Sequence, residues 1–354
     1  MLFLGILPGG AAISLPKCSW AGDIRMSTKL EMQRFVHYFI DLPLWACGYR
    51  SRALERRLYA DFEPEIALFR EGYKSLSAYT NAATEAGVDD TIQKAFWVKV
   101  VRESDTYTSL RMTKKTLSRF FRFDGMEHLE NAVKERRPVI ILTGHIGSFF
   151  IPSIAFYHLG YIVHPVARTV DRSPVTPQIT RLYLNLNYKL PERRFPAKYI
   201  LTDFSGKIDR SIVSVARGNG IFWAAIDFPR RVYQYRHLPV TLFGQPATLP
   251  SGIIRWGIKR KAIFLTGWNS IEGDSKGFYR LLSLESPIAD GSDTQEVLQA
   301  YADRLSAFVL RKPWQWMALP SIRQYGELCP GGVGKAAGTV RPDMHSEMLD
   351  RVRG

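Results

Sequence analysis

A histidine placed between two glycines is the residue of this sequence that most directly suggests chemistry. It lies in the segment Gly144-His145-Ile146-Gly147-Ser148. A neutral imidazole can take a proton from a hydroxyl group, and small neighbours let a substrate approach the backbone closely. The segment therefore favours a site of chemistry at His145, with a structural histidine as the alternative. Ser148 is less suited to be a nucleophile, because the segment differs from the G-x-S-x-G turn that presents such a serine.

A short buried strand leads into this segment. Residues 138–143 (Pro-Val-Ile-Ile-Leu-Thr) form a β-branched apolar run that follows a helical stretch at 126–135. Ligands of α/β folds bind at the carboxyl ends of such strands. Strands and helices alternate further along the chain, which predicts an α/β fold with a mixed, largely parallel central sheet flanked by helices. The further predicted strands are 161–166, 220–226 and 262–266, and the helices between them are 176–190, 207–216 and 251–259.

Helical patterns precede and follow this α/β region. Apolar residues recur at helical spacing over 64–117, which predicts two or three helices. Nearer the carboxyl end, Ser292, Asp293 or Thr294 can cap a helix with one apolar face. That face is formed by Val297, Tyr301, Leu305 and Phe308.

Five separated segments carry motifs that occur together in one enzyme family. They are FDGMEHLENAVKERRPVIILTGHIGSFF (123–150), HPVARTV (164–170), GNGIFWAAIDFPRR (218–231), LPVTLFGQPATLPSG (238–252) and RKPWQWMALPSIRQY (311–325). In content, order and spacing they resemble the late acyltransferases of lipid A biosynthesis, bacterial members of the lysophospholipid acyltransferase superfamily. The resemblance spans roughly 58–325 and implies a glycerol-3-phosphate-acyltransferase-like fold.

The resemblance implies transfer of a fatty acyl group from acyl carrier protein or acyl-CoA to a hydroxyl group of a membrane glycolipid or lysolipid. His145 then corresponds to the family's general base, and an acid five residues later orients its ring. Donors for the oxyanion would come from backbone N–H groups of the glycine-containing turn. Arg168, at the end of a predicted strand, suits a phosphate or a sugar acid, with an ion pair to Asp227 or another acid as the alternative. The resemblance implies neither a metal nor a bound cofactor.

The sequence departs from the family pattern at the acid. Phe150 occupies that position, and no Asp or Glu occurs from Pro138 to Val170. Three alternatives remain open. Another carboxylate could replace the missing one, with Asp227 favoured over Asp203 and Asp209; a backbone carbonyl could orient His145; or the chain could be an inactive relative that binds acyl chains or acyl carrier protein.

The predicted site therefore has two groups of residues. The catalytic group is His145 with Asp227. The substrate-binding group is Arg168, Gly144, Gly147, Ser148 and Phe150. A hydroxyl or an amine of a lipid or of a specialised metabolite is the predicted acceptor, because the altered motif argues against an ordinary lipid A role.

The charge balance favours an acidic partner. Lys and Arg outnumber Asp and Glu by 48 to 33, which gives a formal net charge of +15. Anionic membrane lipids and an acidic carrier protein both suit this charge. Nucleic acid is excluded as the expected partner, because the sequence has no helix-turn-helix, zinc or RNP-type signal. The three cysteines form no disulfide framework or metal-binding spacing.

The first part of the chain predicts association with a membrane. The apolar stretch 35–49 contains His37, Asp41 and Pro43, so it suits lying on a bilayer better than crossing one. A helix packed against the domain is the alternative. We expect three parts: a membrane-associating or poorly ordered segment 1–57, an acyltransferase-like domain 58–325 and a flexible tail 326–354. The predicted location is the cytoplasmic face of the bacterial inner membrane, peripheral or N-terminally anchored. Met1 and Met26 are alternative starts.

Overall fold

The fold is described from a computed structural model of the chain. The described residues are 29–80, 86–149, 151–168, 178–197, 199–202, 211–229, 236–274 and 277–325. The predicted tail, Asp203, Asp209 and Phe150 lie outside these segments. None of the helices in the described segments combines the length and the apolar character needed to cross a bilayer.

Eleven α-helices lie within the described segments, and the two longest form the N-terminal helical region. They are α1 (Lys29–Val36), α2 (Leu42–Ala46), α3 (Arg52–Thr80), α4 (Ala86–Leu110), α5 (Leu117–Phe120), α6 (Met126–Lys134), α7 (Pro152–His158), α8 (Gln178–Arg194), α9 (Ser211–Arg217), α10 (Gly252–Lys259) and α11 (Thr294–Arg311). A π-helical turn, His37–Asp41, joins α1 to α2, and 3-10 turns at Pro313–Gln315 and Leu319–Tyr325 follow α11.

The described strands form one seven-stranded sheet and one separate hairpin. They are β1 (Phe121–Asp124), β2 (Val139–Thr143), β3 (Val163–Arg168), β4 (Ile200–Thr202), β5 (Ile221–Ala225), β6 (His237–Leu242), β7 (Gln245–Pro250), β8 (Ile263–Asp274) and β9 (Gly277–Glu285). The sheet order is β1-β9-β8-β2-β5-β3-β4, and every neighbouring pair is parallel except β8 with β9. The predicted α/β fold with a mixed, largely parallel sheet is confirmed.

Strand β2 lies in the middle of the sheet and is buried on both faces. Ile140 and Leu142 pack into the core on the side of α3 and α11, whereas Val139 and Ile141 pack into the core on the side of α6 and α7. Successive side chains of a strand point to opposite faces, so an unbroken apolar run is needed where helices cover both. This explains why the β-branched run 138–143 identified β2 correctly.

The pairing of β2 with β5 sets the position of the residues that follow both strands. The register joins Val139 to Ile221 and Thr143 to Ala225. It continues past the strand ends, because the Ile226 N–H donates to the Thr143 carbonyl at 3.0 Å. The same spacing carried two residues further brings His145 level with Asp227.

Helix α11 begins as the sequence predicts. Asp293 is the N-cap, since its carboxylate accepts from the Gln295 and Glu296 N–H groups while the Glu296 side chain accepts from the Asp293 N–H. The four side chains predicted to form the apolar face are all buried. The predicted apolar face is therefore the face that α11 packs into the core.

The hairpin β6–β7 has a tight two-residue loop. Its residues Phe243 and Gly244 have φ angles of +54° and +73°. Positive φ at both positions suits the right-handed twist of a hairpin, but it is unusual for phenylalanine. Tertiary contacts hold Phe243 there, because its N–H donates to Ser306 Oγ at 3.0 Å and its ring packs against Trp316 with the ring centroids 5.4 Å apart.

Candidate active site

The side chains of His145 and Asp227 meet at the carboxyl ends of β2 and β5. His145 Nδ1 lies 2.6 Å from Asp227 Oδ1, and the His145 backbone N–H donates to Asp227 Oδ2 at 2.8 Å. The carboxylate thus fixes both the ring and the main chain of the histidine. Asp227 is nearly inaccessible to solvent, with 1% of its surface exposed, so this geometry is not loosened by water.

Two aromatic side chains complete the surroundings of Asp227. The Trp316 indole N–H donates to Oδ2 at 2.8 Å, and the Tyr325 hydroxyl donates to the Asp227 carbonyl. Burial by itself raises the pKa of Asp227. The positive charge of the protonated imidazole and the hydrogen bonds from His145 and Trp316 outweigh burial, so the pKa lies below its usual value. Asp227 is therefore a carboxylate at neutral pH.

The contact with Asp227 determines which ring nitrogen of His145 can act as a base. An ionised carboxylate only accepts, so in the neutral ring Nδ1 carries the hydrogen and Nε2 has the lone pair. Nε2 makes no hydrogen bond to any residue the structure describes, and 11% of the His145 side chain is exposed. The rings of Phe149 and Phe228 stand edge-on to the imidazole, each with a centroid distance of 4.5 Å. The imidazole is thus flanked by aromatic side chains and remains partly accessible to solvent.

The segment after α11 makes backbone hydrogen bonds to residues 144–148, which we call the histidine loop. Met317 N–H donates to the His145 carbonyl at 2.9 Å, and Gly147 N–H donates to the Gln315 carbonyl at 2.8 Å. Ile146 and Trp316 thus form an isolated antiparallel bridge. The Gln315 side chain is itself fixed, since it exchanges hydrogen bonds with the backbone of Ile271 in β8.

The two glycines of the loop make room for protein atoms. A Cβ on Gly144 would lie 3.0 Å from Asp227 Oδ2, and one on Gly147 would lie 2.4 Å from the Asn269 carbonyl oxygen. Gly147 also has a φ of +49°, which L side chains rarely adopt. The two glycines thus let the carboxylate and β8 approach the loop, and their contact with substrate stays a prediction.

The backbone N–H groups of the loop are already used within the protein. Those of His145, Ile146, Gly147 and Ser148 donate to Asp227, Gly144, Gln315 and Asn269, respectively. The expected oxyanion donors are therefore not free in this turn. Ser148 is fully buried in this structure, and its contact with substrate stays a prediction.

The same arrangement of segments is found in a known family. The family model for bacterial lipid A biosynthesis acyltransferases matches residues 97–321, which include His145, Asp227 and Trp316. The chain belongs to this acyltransferase family. Family membership gives acyl transfer as the class of reaction and lipid biosynthesis as its setting. No curated protein matches the acyltransferase.

Of the predicted substrate-binding residues of the acyltransferase, Arg168 is described in its backbone only and Phe150 is not described. Arg168 is the last residue of β3, which pairs with β5 on the side away from β2. Its backbone therefore lies at the same end of the sheet as Asp227, and its side chain lies outside the described part of the structure. Phe150 is likewise outside the described residues.

Several residues that position His145 were not predicted to belong to the site. Trp316 and Gln315 belong to a motif that supported the resemblance, but nothing in that motif indicated contact with Asp227 or with the loop. Asn269 follows no recognisable pattern, although its side chain donates to the Ser148 carbonyl at 2.5 Å. The missing information was contact between segments that are distant in the sequence, by 89 residues for Trp316 and Asp227 and by 121 for Asn269 and Ser148.

A buried ion pair lies behind the histidine loop. Arg280 of β9 donates through Nε to Asp105 Oδ1 of α4 at 3.0 Å, and both side chains are about 5% exposed. The Ser148 hydroxyl lies beside the same carboxylate, outside good hydrogen-bond geometry. Burial raises the pKa of Asp105, and Arg280 and Ser148 oppose that rise only in part. The pair joins α4 to the sheet next to the site.

We expect Asp105→Asn to destabilise the protein by about 3–5 kcal/mol, because it leaves the Arg280 charge buried without compensation. Urea denaturation followed by circular dichroism measures this loss. The double variant Asp105→Leu/Arg280→Met is the control, since it removes both charges and is expected to recover most of the stability. A single variant as stable as the native chain would show that the pair does not hold α4 to the sheet.

One other cluster among the described residues brings potential metal ligands together. His37 Nε2 lies 3.0 Å from Glu103 Oε2 and 3.4 Å from Asp61 Oδ2. The Lys99 ammonium lies 2.7 Å from Glu103 and 3.1 Å from Glu65. Burial lowers the pKa of Lys99, but these negative charges outweigh burial and raise the pKa well above its usual value. Lys99 thus supplies the cation of this cluster, which joins α3, α4 and the π-helical turn.

Proposed function

We propose that the protein transfers a fatty acyl group from a thioester carrier, acyl carrier protein or acyl-CoA, to a hydroxyl or amine of a lipid or specialised-metabolite acceptor. His145 is the general base, and Asp227 orients it in place of the acid that Phe150 replaces. The hydrogen bond of 2.6 Å between His145 Nδ1 and Asp227 Oδ1 carries the proposal. It supplies the carboxylate that the local motif lacks.

In the proposed reaction, one proton moves from the acceptor to His145 and then from His145 to the leaving group. His145 Nε2 takes the proton of the acceptor hydroxyl as its oxygen attacks the thioester carbonyl carbon. The tetrahedral oxyanion collapses, the carbon–sulfur bond breaks, and the imidazolium returns the proton to the leaving thiolate. Asp227 stabilises the imidazolium between these steps and stays ionised.

The oxyanion requires donors from outside the histidine loop, since the N–H groups of that loop are occupied. Arg168 is the last residue of the strand beside β5 and remains our proposed substrate-binding cation, suited to a phosphate or an acidic sugar of the acceptor. Phe150 is proposed to border the acyl chain. We place the reaction at the cytoplasmic face of the inner membrane, where carrier protein and lipid acceptor meet.

The proposal is tested by asking whether the protein catalyses acyl transfer with multiple turnovers. Purified protein is incubated with radiolabelled acyl carrier protein, or in parallel acyl-CoA, and with total bacterial membrane lipids. We expect labelled lipid in excess over protein molecules. Label retained on the protein at no more than one acyl group per chain, without a lipid product, would overturn the proposal in favour of an inactive acyl-chain binder.

A hydrolysis control belongs to the same experiment. Free fatty acid is measured beside the labelled lipid, with and without added acceptor lipids. Transfer predicts that the acceptor lipids increase lipid product at the expense of free acid. A thioesterase would release the same amount of acid in both samples.

A further inference from the structure

A group of exposed cations lies on the segment that joins α4 to β1. Five Lys and Arg residues occur between Asp105 and Asp124, and no Asp or Glu does. The cations are Arg111, Lys114, Lys115, Arg119 and Arg122, and all five are exposed. Lys114, Lys115 and Arg119 make no ion pair with any residue the structure describes. We call these five residues the basic patch.

Buried apolar side chains fix the segment so that the basic patch faces solvent. Met112, Leu117 and Phe121 alternate with the cations along this segment and are at most 5% exposed, packed into the core beneath α6 and α7. The turn is also fixed internally, since Thr116 Oγ1 donates to the Arg111 carbonyl at 3.1 Å. A rigid turn that buries its apolar side chains must present its charges to solvent.

The basic patch adjoins exposed apolar side chains of the N-terminal helices. Arg111 donates to the carbonyl of Ala46, the last residue of α2. Leu44 and Ile40 of this region are exposed, and Tyr49, just beyond α2, is 53% exposed. The guanidinium of Arg50 lies over the Trp45 ring, 3.5 Å from its centroid. Exposed cations and exposed apolar side chains thus occur together where the carboxyl end of α2 meets the segment after α4.

We propose that this surface docks on an anionic phospholipid bilayer. Side chains such as Tyr49 and Leu44 suit insertion at the level of the headgroups, and unpaired lysines and arginines suit the lipid phosphates. An acidic carrier protein would account for the cations but not for the exposed leucine and isoleucine. The inference rests on the proposed function for its setting and defines the face that meets the membrane.

The surface is also close to the proposed site. Asp105, beside the histidine loop, precedes Arg111 by six residues, which is roughly 9 Å of helix rise. Docking through the basic patch therefore brings the base near the headgroup region, where a lipid hydroxyl is accessible. Helix α4 connects the two, because its carboxyl end leads directly into the patch.

The test is sedimentation of the full chain with vesicles of phosphatidylethanolamine and phosphatidylglycerol in equal parts. We expect Lys114→Glu/Lys115→Glu/Arg119→Glu to weaken binding at least about 100-fold, since each cation near the surface contributes a factor of about 5. Lys259→Glu/Arg260→Glu/Lys261→Glu is the matched control. It reverses three exposed cations at the end of α10 and has the same net charge, so its binding should stay within about threefold of the native chain.

Two outcomes would overturn the inference. One is equal vesicle binding by both triple variants. The other is a patch variant that loses binding to acyl carrier protein while its vesicle binding is unchanged, which would assign the surface to the carrier. Circular dichroism verifies the fold of each variant. Transfer to acceptor dispersed in detergent micelles, which needs no docking, should persist in the patch variant; its absence in the native chain would count against the proposed reaction and not against docking.

Discussion

Replacing His145 with alanine is expected to lower kcat/KM for acyl transfer by a factor of about 10⁶, the size seen when a base of this kind is removed from a catalytic triad. The physical reason is that no other described group lies at the position of Nε2 to accept the hydroxyl proton. Steady-state transfer of radiolabelled acyl groups to membrane lipid measures the effect.

The His145→Ala protein should still bind the acyl donor, because the change removes a proton acceptor and leaves the sheet and α11 intact. Donor affinity measured by fluorescence titration is therefore the control, together with thermal denaturation. Equal amounts of labelled lipid from the variant and the native chain would rule out His145 as the base.

Asp227→Asn is expected to lower kcat/KM by about 10⁴. Oδ2 accepts from two fixed N–H groups, those of the His145 backbone and the Trp316 indole. An asparagine would keep its carbonyl oxygen at that position and turn its NH₂ group toward His145 Nδ1. Nδ1 would then have to accept, so Nε2 would carry the hydrogen and could not act as a base.

A double variant separates this effect from simple misfolding. If Asp227 acts through His145, then His145→Ala/Asp227→Asn should be no slower than His145→Ala alone, because the two residues work as one unit. Asp227→Asn protein that retains more than a tenth of the native rate would show that the ring is oriented by another group.

The central part of the fold was predictable from local patterns. The run 138–143 has the composition of a doubly buried strand, and the side chains from Val297 to Phe308 repeat at helical spacing. Strands β1, β4, β6, β7 and β9 were not predicted. β1 and β4 are only four and three residues long, and β6 and β7 contain Pro239 and Pro246, a residue that is rare within strands. The predicted strand 262–266 covers only the beginning of β8, which continues to Asp274 because residues 266–274 pair with the whole of β9.

The site was predictable only in part, and for a related reason. Sequence motifs indicated His145 and ranked Asp227 first among the possible acids. The motifs contained no distance, so they could not show that the glycines make room for Asp227 and Asn269, or that Ser148 is buried. Occupied N–H groups are equally invisible in a sequence, because their acceptors lie on β5, β8 and the segment after α11.

The in-register pairing of β2 and β5 means that the spacing of two main chains determines where the carboxylate lies. One residue inserted between Ile221 and Asp227 would advance the acid by about 3.3 Å and turn it toward the opposite face of the sheet. The length of that stretch is thus as tightly constrained as the identity of its last residue. Position 150 need not supply an acid, so its residue can change while the imidazole keeps Asp227 as its partner.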